Sequence, residues 1–374
     1  MVCLNTLACG SCGWRGSEAL NIFSCPRCGK PLDLDYRTGE SLPEYRELLR
    51  CHRGVWCFSE LLPGYGYKAT LGEGFTRVLQ LRLRGSSVLA KMESQNPTGS
   101  FKDRGAAVAI SMAISLGASV VVEDSSGNAG IATSCYSRAH GVRAVIVAPA
   151  SAPSGKLDLI RLCGAEVVLA ESREHASRLA PKIALERAGA YLPHTWLPHH
   201  VEAMKTIAFE IYYQVDEIPG TIFIPTSSGT LLLGIYRGFR DLKRMGYIER
   251  IPRLVSVQTR SYHPLYTAIK NKTLDPEEEN LADGISIRSP PRLEQMIQAV
   301  KETGGEVVVV SNNEIREALR ELIMLGAIVE PTSATPIAGI KKAREMGIDT
   351  ERAIAILTGS GLKMIQNIKT ITKE

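Results

Sequence analysis

Residues 118–149, ASVVVEDSSGNAGIATSCYSRAHGVRAVIVAP, contain the pattern that decides the fold. Residues 118–123 and 143–149 are short runs of β-branched and small apolar residues, which predict two strands. The segment 128–141 between them predicts a helix. Because neither strand alternates polar with apolar residues, both faces of each strand are expected to be covered. A strand, a helix and a second strand in this order predict a parallel βαβ unit.

The same alternation continues on both sides of this unit. Further strands are predicted at 86–93, 165–170, 221–225, 253–258, 306–310 and 353–357, with helices at 100–117, 154–164, 173–189, 231–246, 312–326 and 334–346. This pattern predicts an α/β protein built from two doubly wound parallel-sheet domains, with an active-site cleft between them. We assign residues 36–94 and 206–374 to the larger domain and residues 95–205 to a smaller, substrate-side domain.

Residues 1–35 are expected to form a separate small module. Two Cys-x-x-Cys-Gly turns lie twelve residues apart, and their four thiols suit tetrahedral zinc in a ribbon-like fold; the ligands would be Cys9, Cys12, Cys25 and Cys28. A closed site of four cysteines has a structural role. A zinc ribbon can also bind nucleic acid, but this module lacks interleaved basic and aromatic residues.

The composition is that of an ordinary globular protein. The chain has 374 residues, 44% hydrophobic and 22% charged, with a formal net charge of +5. No apolar run is long enough for a membrane span, and the first residues lack a basic-then-apolar leader pattern. Five further cysteines are scattered, so we expect a reduced compartment, the cytoplasm, and one metal site rather than oxidised pairs. The mild positive charge permits a small anionic substrate and does not require nucleic acid.

Three loops of small polar residues follow predicted strands, at 123–130, 224–234 and 355–363. Ligands of parallel sheets bind beyond the carboxyl ends of strands, and the amides at a helix start favour anions. A lysine, Lys102, stands at the start of a predicted apolar helix in the stretch NPTGSFKDRG, residues 96–105. Pyridoxal phosphate needs a lysine for its aldehyde, a small-residue loop for its phosphate and a partner for its ring nitrogen.

The blocks NPTGSFKDRG, SSGNAG, IPTSSGT, VEPTSATPIAG and LTGSGLK occur in this order. With LGEGFT at 71–76 and the four-cysteine head, they resemble the threonine synthase branch of the fold-type II pyridoxal-phosphate-dependent enzymes over residues 68–368. The resemblance implies that Lys102 binds the cofactor covalently and is catalytic. It also implies further roles, on the matching positions alone: the cofactor would contact Asn128, Thr226, Ser227, Ser228, Gly229, Thr230 and Thr358, and the substrate carboxylate would contact Ser125, Ser126, Gly127 and Ala129.

The resemblance further implies a homodimer and the conversion of O-phospho-L-homoserine and water to L-threonine and phosphate, by β,γ-elimination and replacement. Departures from the family pattern, such as Arg77 in place of a proline, leave the substrate open. One alternative is β-replacement on O-phosphoserine, giving cysteine or cysteate. Others are an amino-acid ammonia-lyase or dehydratase, and a zinc-ribbon nucleic-acid binder without activity. The candidates for holding the leaving phosphate are Lys205, Arg77, Arg260, His194, His199 and His200.

Overall fold

The strands form three sheets in the computed structural model, which describes residues 5–83, 86–152 and 154–373. In chain order they are β1 (Thr6–Ala8), β2 (Arg15–Ser17), β3 (Asp33–Asp35), β4 (Val78–Leu83), β5 (Ser86–Lys91), β6 (Val120–Glu123), β7 (Arg143–Pro149), β8 (Glu166–Ala170), β9 (Ala190–Tyr191), β10 (Thr221–Pro225), β11 (Arg253–Thr259), β12 (Glu306–Val310) and β13 (Ala353–Ile356). Every strand predicted from the sequence is present.

The helices fill most of the chain between the strands. They are α1 (Tyr45–Arg50), α2 (Lys102–Ser115), α3 (Asn128–Ala139), α4 (Ser154–Leu162), α5 (Arg173–Glu186), α6 (Pro198–Gln214), α7 (Thr230–Arg244), α8 (Pro264–Lys270), α9 (Leu293–Glu302), α10 (Asn312–Met324), α11 (Pro331–Glu345) and α12 (Ile365–Lys373). Within the described part of the chain, none of these helices combines the length and apolar character that a membrane span requires.

The chain divides into two units. The first comprises Met1–Gly74, Asn96–Thr98 and Lys102–Ala203. Its main sheet has the order β8-β7-β6-β9, and all its pairings are parallel. All four residues of β6 are buried, as the unbroken apolar run predicted, and its last residue is a glutamate, Glu123.

The second unit comprises Phe75–Gln95, Gly99–Phe101 and Met204–Glu374. Its sheet has the order β12-β11-β10-β13-β5-β4. These pairings are parallel, as predicted, except that β4 runs antiparallel to β5 at one edge. The strand β4 was not predicted because Gln80 and Arg82 interrupt its apolar residues, a pattern that suits an edge strand with one exposed side.

Residues 1–35, predicted to be a separate module, contain a small sheet of their own. The strands β1 to β3 form a small antiparallel sheet whose core includes Cys9 and Cys25. This module belongs to the first unit. The stretch 36–74 also belongs to the first unit, whereas the sequence pattern placed it in one domain with residues 206–374.

Two oxidised cysteine pairs correct the expectation that the remaining cysteines are reduced. Disulfides join Cys51 to Cys57 and Cys135 to Cys163. The second pair links α3 to the end of α4 across 28 positions of sequence, so spacing along the chain gave no indication of it. Cys3 lies outside the described residues.

Candidate active site

Lys102 is the first residue of α2 and its side chain is half-buried. The next residue, Asp103, is fully buried and accepts hydrogen bonds from the backbone amide of Thr98, at 2.6 Å, and from the Thr98 hydroxyl. A carboxylate that accepts two hydrogen bonds from a turn fixes the path of that turn. The helix that follows is apolar nearly all round, so Lys102 is the point at which this buried helix meets polar surroundings.

The loop Ser125–Gly127 joins the end of β6 to the start of α3, and Asn128 is the first helical residue. The amide of Gly127 donates to the Ser125 hydroxyl at 3.3 Å. A Cβ at Gly130 would lie 1.9 Å from the carbonyl oxygen of Ser125, so the loop lies directly on the first turn of α3. The loop therefore places small polar residues directly before the first amides of α3, and the amides at a helix start favour an anion.

A buried carboxyl that the sequence did not single out, Glu123, lies with two of the phosphate candidates, His194 and His200. Nδ1 of His194 and Oε1 of Glu123 are 2.8 Å apart, and the rings of His194 and His200 are in edge contact with centroids 6.2 Å apart. A Cβ at Gly105, on the first turn of α2, would lie 1.9 Å from Nδ1 of His200. We call Glu123, His194 and His200 the Glu123 cluster.

Burial keeps this cluster uncharged. Burial raises the pKa of Glu123 to about 8, although the charge of Lys102 and two backbone amides offset part of the rise. Burial, followed by the charge of Lys102, lowers the pKa of His194 to about 3 and that of His200 well below its ordinary value. At neutral pH the Glu123 carboxyl is therefore protonated and donates to the neutral His194 ring.

In the second unit, residues 226–230 join β10 to α7. The side chains of Thr226, Ser228 and Thr230 are buried, and the Ser227 hydroxyl accepts from the Ile287 amide at 3.3 Å. Gly229 has φ of +92°, a conformation that favours glycine. The first amides of α7 have no acceptor within the helix. Hydroxyls and helix-start amides together fit a phosphate group.

Thr358 follows β13 and is buried in the same unit. Its hydroxyl is 3.0 Å from the hydroxyl of Ser333, which also accepts from the Gly359 amide at 2.7 Å. The carbonyl oxygen of Thr358 accepts from the amide of Phe101, the residue directly before Lys102 in the chain. Ser333 lies in the block VEPTSATPIAG but was not predicted as a site residue, because the sequence does not show that its hydroxyl contacts Thr358. The pair places two neutral hydroxyls next to each other beyond the end of β13.

The candidates for binding the leaving phosphate differ in their burial and in their partners. Lys205 is buried and forms an ion pair with Asp241 at 2.6 Å, and His199 is 2.5 Å from Glu18. The guanidinium of Arg260 donates to the carbonyl oxygen of Asp275 at 3.0 Å. Arg77 is exposed, and its side chain has no hydrogen-bond or ion-pair partner among the described residues.

The four head cysteines meet the geometric requirements of a tetrahedral metal. Their sulfur atoms all lie within 4.8 Å of one another, and two of the pairs are 3.5 Å apart. Zinc bound to sulfur at about 2.3 Å places tetrahedral ligands about 3.8 Å apart. Burial raises the pKa of Cys9, but the backbone amides of Cys12 and Ser11 outweigh it and lower that pKa to about 7.

The first unit thus contains a lysine at a helix start and a loop of small polar residues after β6, and the second contains a loop of hydroxyls and helix-start amides after β10. The family model for pyridoxal-phosphate dependent enzymes matches residues 69–359, and the chain belongs to this family. Its curated relatives include threonine synthases. The one from Methanosarcina acetivorans is 31% identical over 98% of this chain and 94% of its own length. The one from Methanocaldococcus jannaschii is 31% identical over 95% of this chain and 92% of its own.

Solved structures of the same fold agree with this assignment. A pyridoxal 5'-phosphate-dependent aspartate racemase is 25% identical, with a TM-score of 0.67 over 77% of this chain and 90% of its own. A maize serine racemase is 21% identical, with a TM-score of 0.67 over 79% of this chain and 92% of its own. The second similarity supports the fold alone.

Proposed function

We propose that this chain is a threonine synthase that converts O-phospho-L-homoserine and water to L-threonine and phosphate. The observation that carries the proposal is the match to curated threonine synthases over nearly the whole chain. The racemases share the fold but match only about four-fifths of the chain, as their coverage of 77% and 79% states.

The cofactor's contacts would be those that the family resemblance assigns. Lys102 would bind the cofactor's aldehyde, and Asn128 would hydrogen-bond its ring hydroxyl. Thr358 would meet its ring nitrogen, and the hydroxyls and amides of residues 226–230 would hold its phosphate. When bound, pyridoxal phosphate withdraws electrons from the substrate's α carbon, so that protons on neighbouring carbons can be removed.

The protein's own groups would then bind the substrate and move protons. The hydroxyls of Ser125 and Ser126 and the amides of Gly127 and Ala129 would bind the substrate carboxylate at the start of α3. The amine of Lys102 would take the α proton and return protons along the carbon chain as phosphate leaves and water adds. Lys205, Arg260 and His199 have partners, and burial keeps His194 and His200 uncharged. We therefore propose Arg77 as the first residue to test for binding the leaving phosphate.

Three further features belong to the same proposal. The head cysteines would hold one structural zinc ion, which their spacing supports. We expect a homodimer by analogy with the family, with a small anionic amino acid as ligand and neither nucleic acid nor membrane as partner. We propose the cytoplasm as the location. Because disulfides are uncommon there, a thiol count on protein purified from its own cells tests this point.

The test uses the purified full chain with pyridoxal phosphate. O-phospho-L-homoserine is added, and free phosphate and threonine are both quantified. We expect equal amounts of the two, and none from Lys102→Ala, which should also lose the covalently bound cofactor. No threonine from O-phospho-L-homoserine, with phosphate released from O-phospho-L-serine in the presence of sulfide or sulfite, would contradict the proposal in favour of β-replacement.

A further inference from the structure

The disulfide between Cys51 and Cys57 closes a short turn of the first unit that has no role in the proposed reaction. The Cα atoms of the two cysteines are 5.8 Å apart, and both residues are half-buried, so a small molecule can reach the sulfur atoms. Disulfides in the cytoplasm, the proposed location of this chain, are usually transient and serve in catalysis or redox sensing. The contacts of the turn indicate what such a bond would control.

The turn between the two cysteines packs against Glu73, the acidic residue of the block LGEGFT. The amide of Val55 donates to Oε1 of Glu73 at 3.2 Å. Gly54 lies against the same atom, since a Cβ at this position would be 2.4 Å from Oε1. The indole nitrogen of Trp56 donates to the carbonyl oxygen of Ala69 at 2.7 Å. Three consecutive residues of the turn therefore contact the segment that carries the block.

Residues 69–73, which we call the Glu73 loop, are held by this carboxyl. Oε2 of Glu73 accepts from the amide of Leu71 and from the hydroxyl of Thr70, both at 3.0 Å. It also accepts from the hydroxyl of Tyr136 at 2.8 Å. Tyr136 belongs to α3, the helix that begins at the loop proposed to bind the substrate carboxylate. The fully buried carboxyl thus joins the turn, the Glu73 loop and α3, and a movement of the turn would remove one of its hydrogen bonds.

The surface around the disulfide is basic. The side chains of Arg50 and Arg53, next to the two cysteines in the chain, are exposed. The ammonium group of Lys68 lies 5.7 Å from the centre of the Trp56 ring. Burial, followed by the charge of Arg53, lowers the pKa of Lys68, and the charge of Glu60 opposes this. Positive charge stabilises a thiolate and attracts an anionic thiol, so glutathione belongs to the class of reagent that suits this site.

We propose that Cys51 and Cys57 form a redox modification site that exchanges with an anionic low-molecular-weight thiol, and that their disulfide holds the Glu73 loop in place. The proposal rests on the proposed cytoplasmic location but not on the identity of the substrate. A thiolate attacks one sulfur atom of the disulfide, the S–S bond breaks, and the other cysteine leaves as a thiolate. A second thiolate attacks the mixed disulfide and releases the oxidised dimer of the small thiol. The protein gains two electrons and two protons, which the two small thiols lose, and the reverse steps close the turn again.

The experiment equilibrates the full chain, with pyridoxal phosphate, in mixtures of reduced and oxidised glutathione. Free thiols are then alkylated, and peptide mass spectrometry measures the oxidised fraction of each cysteine pair. Amide hydrogen exchange of the same samples reports how firmly the Glu73 loop is held, because the amides of Val55 and Leu71 both donate to Glu73. Neither readout depends on catalytic turnover.

We expect the pair of Cys51 and Cys57 to open and close reversibly over these mixtures. When the pair is open, and in Cys51→Ser/Cys57→Ser, the amides of Val55 and Leu71 should exchange about fivefold faster or more, the factor that corresponds to the loss of one hydrogen bond. The matched control, Cys135→Ser/Cys163→Ser, removes the other disulfide of the same unit and should leave these amides unchanged. A pair that stays in one state in every mixture would overturn the proposal, and so would equal exchange in the open and closed states.

A second variant tests the same coupling from the side of the carboxyl. If the disulfide and Glu73 hold the same loop, a loss at either one weakens the other by the same factor. Glu73→Gln should therefore lower the equilibrium constant for closing the turn in glutathione mixtures by about fivefold or more. Glu18→Gln replaces another buried carboxyl of this unit, which accepts from Asn5 and Tyr65, and should leave the constant unchanged. An unchanged constant in Glu73→Gln, or an equal change in both variants, would contradict the proposal.

The two proposals fail separately. A protein that makes no threonine but opens and closes the turn as expected contradicts the substrate assignment and supports the redox site. A protein that makes threonine while the turn stays in one state contradicts the redox site alone.

Discussion

Replacing Glu123 with glutamine should change the stability of the first unit in a way that depends on pH. Burial raises the pKa of Glu123 from its ordinary 4.5 to about 8. Between these pH values the unfolded chain has lost the proton while the folded chain still holds it. The stability of the wild type therefore falls as pH rises through this window, because the unfolded state binds fewer protons there.

The size of the effect follows from this difference. Each pKa unit is worth about 1.4 kcal/mol, so keeping Glu123 protonated costs the folded state about 3 kcal/mol at pH 7 and about 1 kcal/mol at pH 5. Glutamine avoids this cost and can still donate to His194. It adds one amide hydrogen without a partner, at about 1–2 kcal/mol. We expect the variant to be more stable than the wild type by about 2 kcal/mol at pH 7, and less stable by up to about 1 kcal/mol at pH 5.

The assay is urea unfolding of the full chain at several pH values, followed by tryptophan fluorescence. All three tryptophans, Trp14, Trp56 and Trp196, belong to the first unit, so the fluorescence reports the unit that contains Glu123. Glu18→Gln is the control. The partners of Glu18 keep its carboxyl ionised, so removing that charge should lower the stability at neutral pH. A difference between Glu123→Gln and wild type that did not change between pH 5 and pH 8 would refute the reasoning.

Three further outcomes are expected. Gly130→Ala places a Cβ 1.9 Å from the Ser125 carbonyl oxygen and should destabilise the first unit by about 2–3 kcal/mol in the same assay, whereas Gly155→Ala, with no atom within 4 Å, should be neutral. Lys91→Met leaves Glu210 buried without its 2.6 Å ion pair and should cost about 3–5 kcal/mol by circular dichroism, with recovery in Lys91→Met/Glu210→Leu. A chelator should release one zinc ion per chain, measured by metal analysis, and should change the tryptophan fluorescence. If protein purified in the presence of zinc contains no zinc, the metal assignment is wrong.

The parallel sheets could be predicted because their strands are buried on both faces. Runs such as 143–149 and 221–225 contain almost only apolar residues, and this composition has few alternatives at strand length. The loops after these strands could also be predicted, because a run of small polar residues directly after an apolar strand marks the strand's end in the sequence. The helix α6 was missed because its first residues lie in the stretch YLPHTWLPHH, whose prolines and histidines suggest a loop, although proline suits the first turn of a helix.

The environment of charged side chains could not be predicted. A glutamate at the end of an apolar strand can face solvent or the core, and the sequence is the same in both cases. Three histidines, His194, His199 and His200, were equal candidates for binding phosphate. Two of them are adjacent on α6, where successive residues point about 100° apart, so they meet different partners. His199 lies against Glu18, and His200 lies against Gly105.

The pair of Glu18 and His199 shows what a buried carboxyl needs to remain charged. Burial raises the pKa of Glu18, but the hydrogen bond and charge of His199, with hydrogen bonds from Asn5 and Tyr65, outweigh it and lower that pKa. The amide of Asn5 and the hydroxyl of Tyr65 each donate at 2.8 Å. Both carboxylate oxygens therefore accept hydrogen bonds, and the charged form is favoured.

Glu123 also lies against a histidine, but its carboxyl keeps its proton at neutral pH, whereas Glu18 is ionised. It has one side-chain hydrogen bond, to His194, and its second oxygen has none among the described residues, so burial decides its pKa. For Glu123 the charge of Lys102 and two backbone amides oppose the effect of burial, but they do not outweigh it. The side-chain donors that Glu18 has on both oxygens, and that Glu123 lacks within the described part of the chain, thus decide which of the two buried carboxyls is ionised at neutral pH.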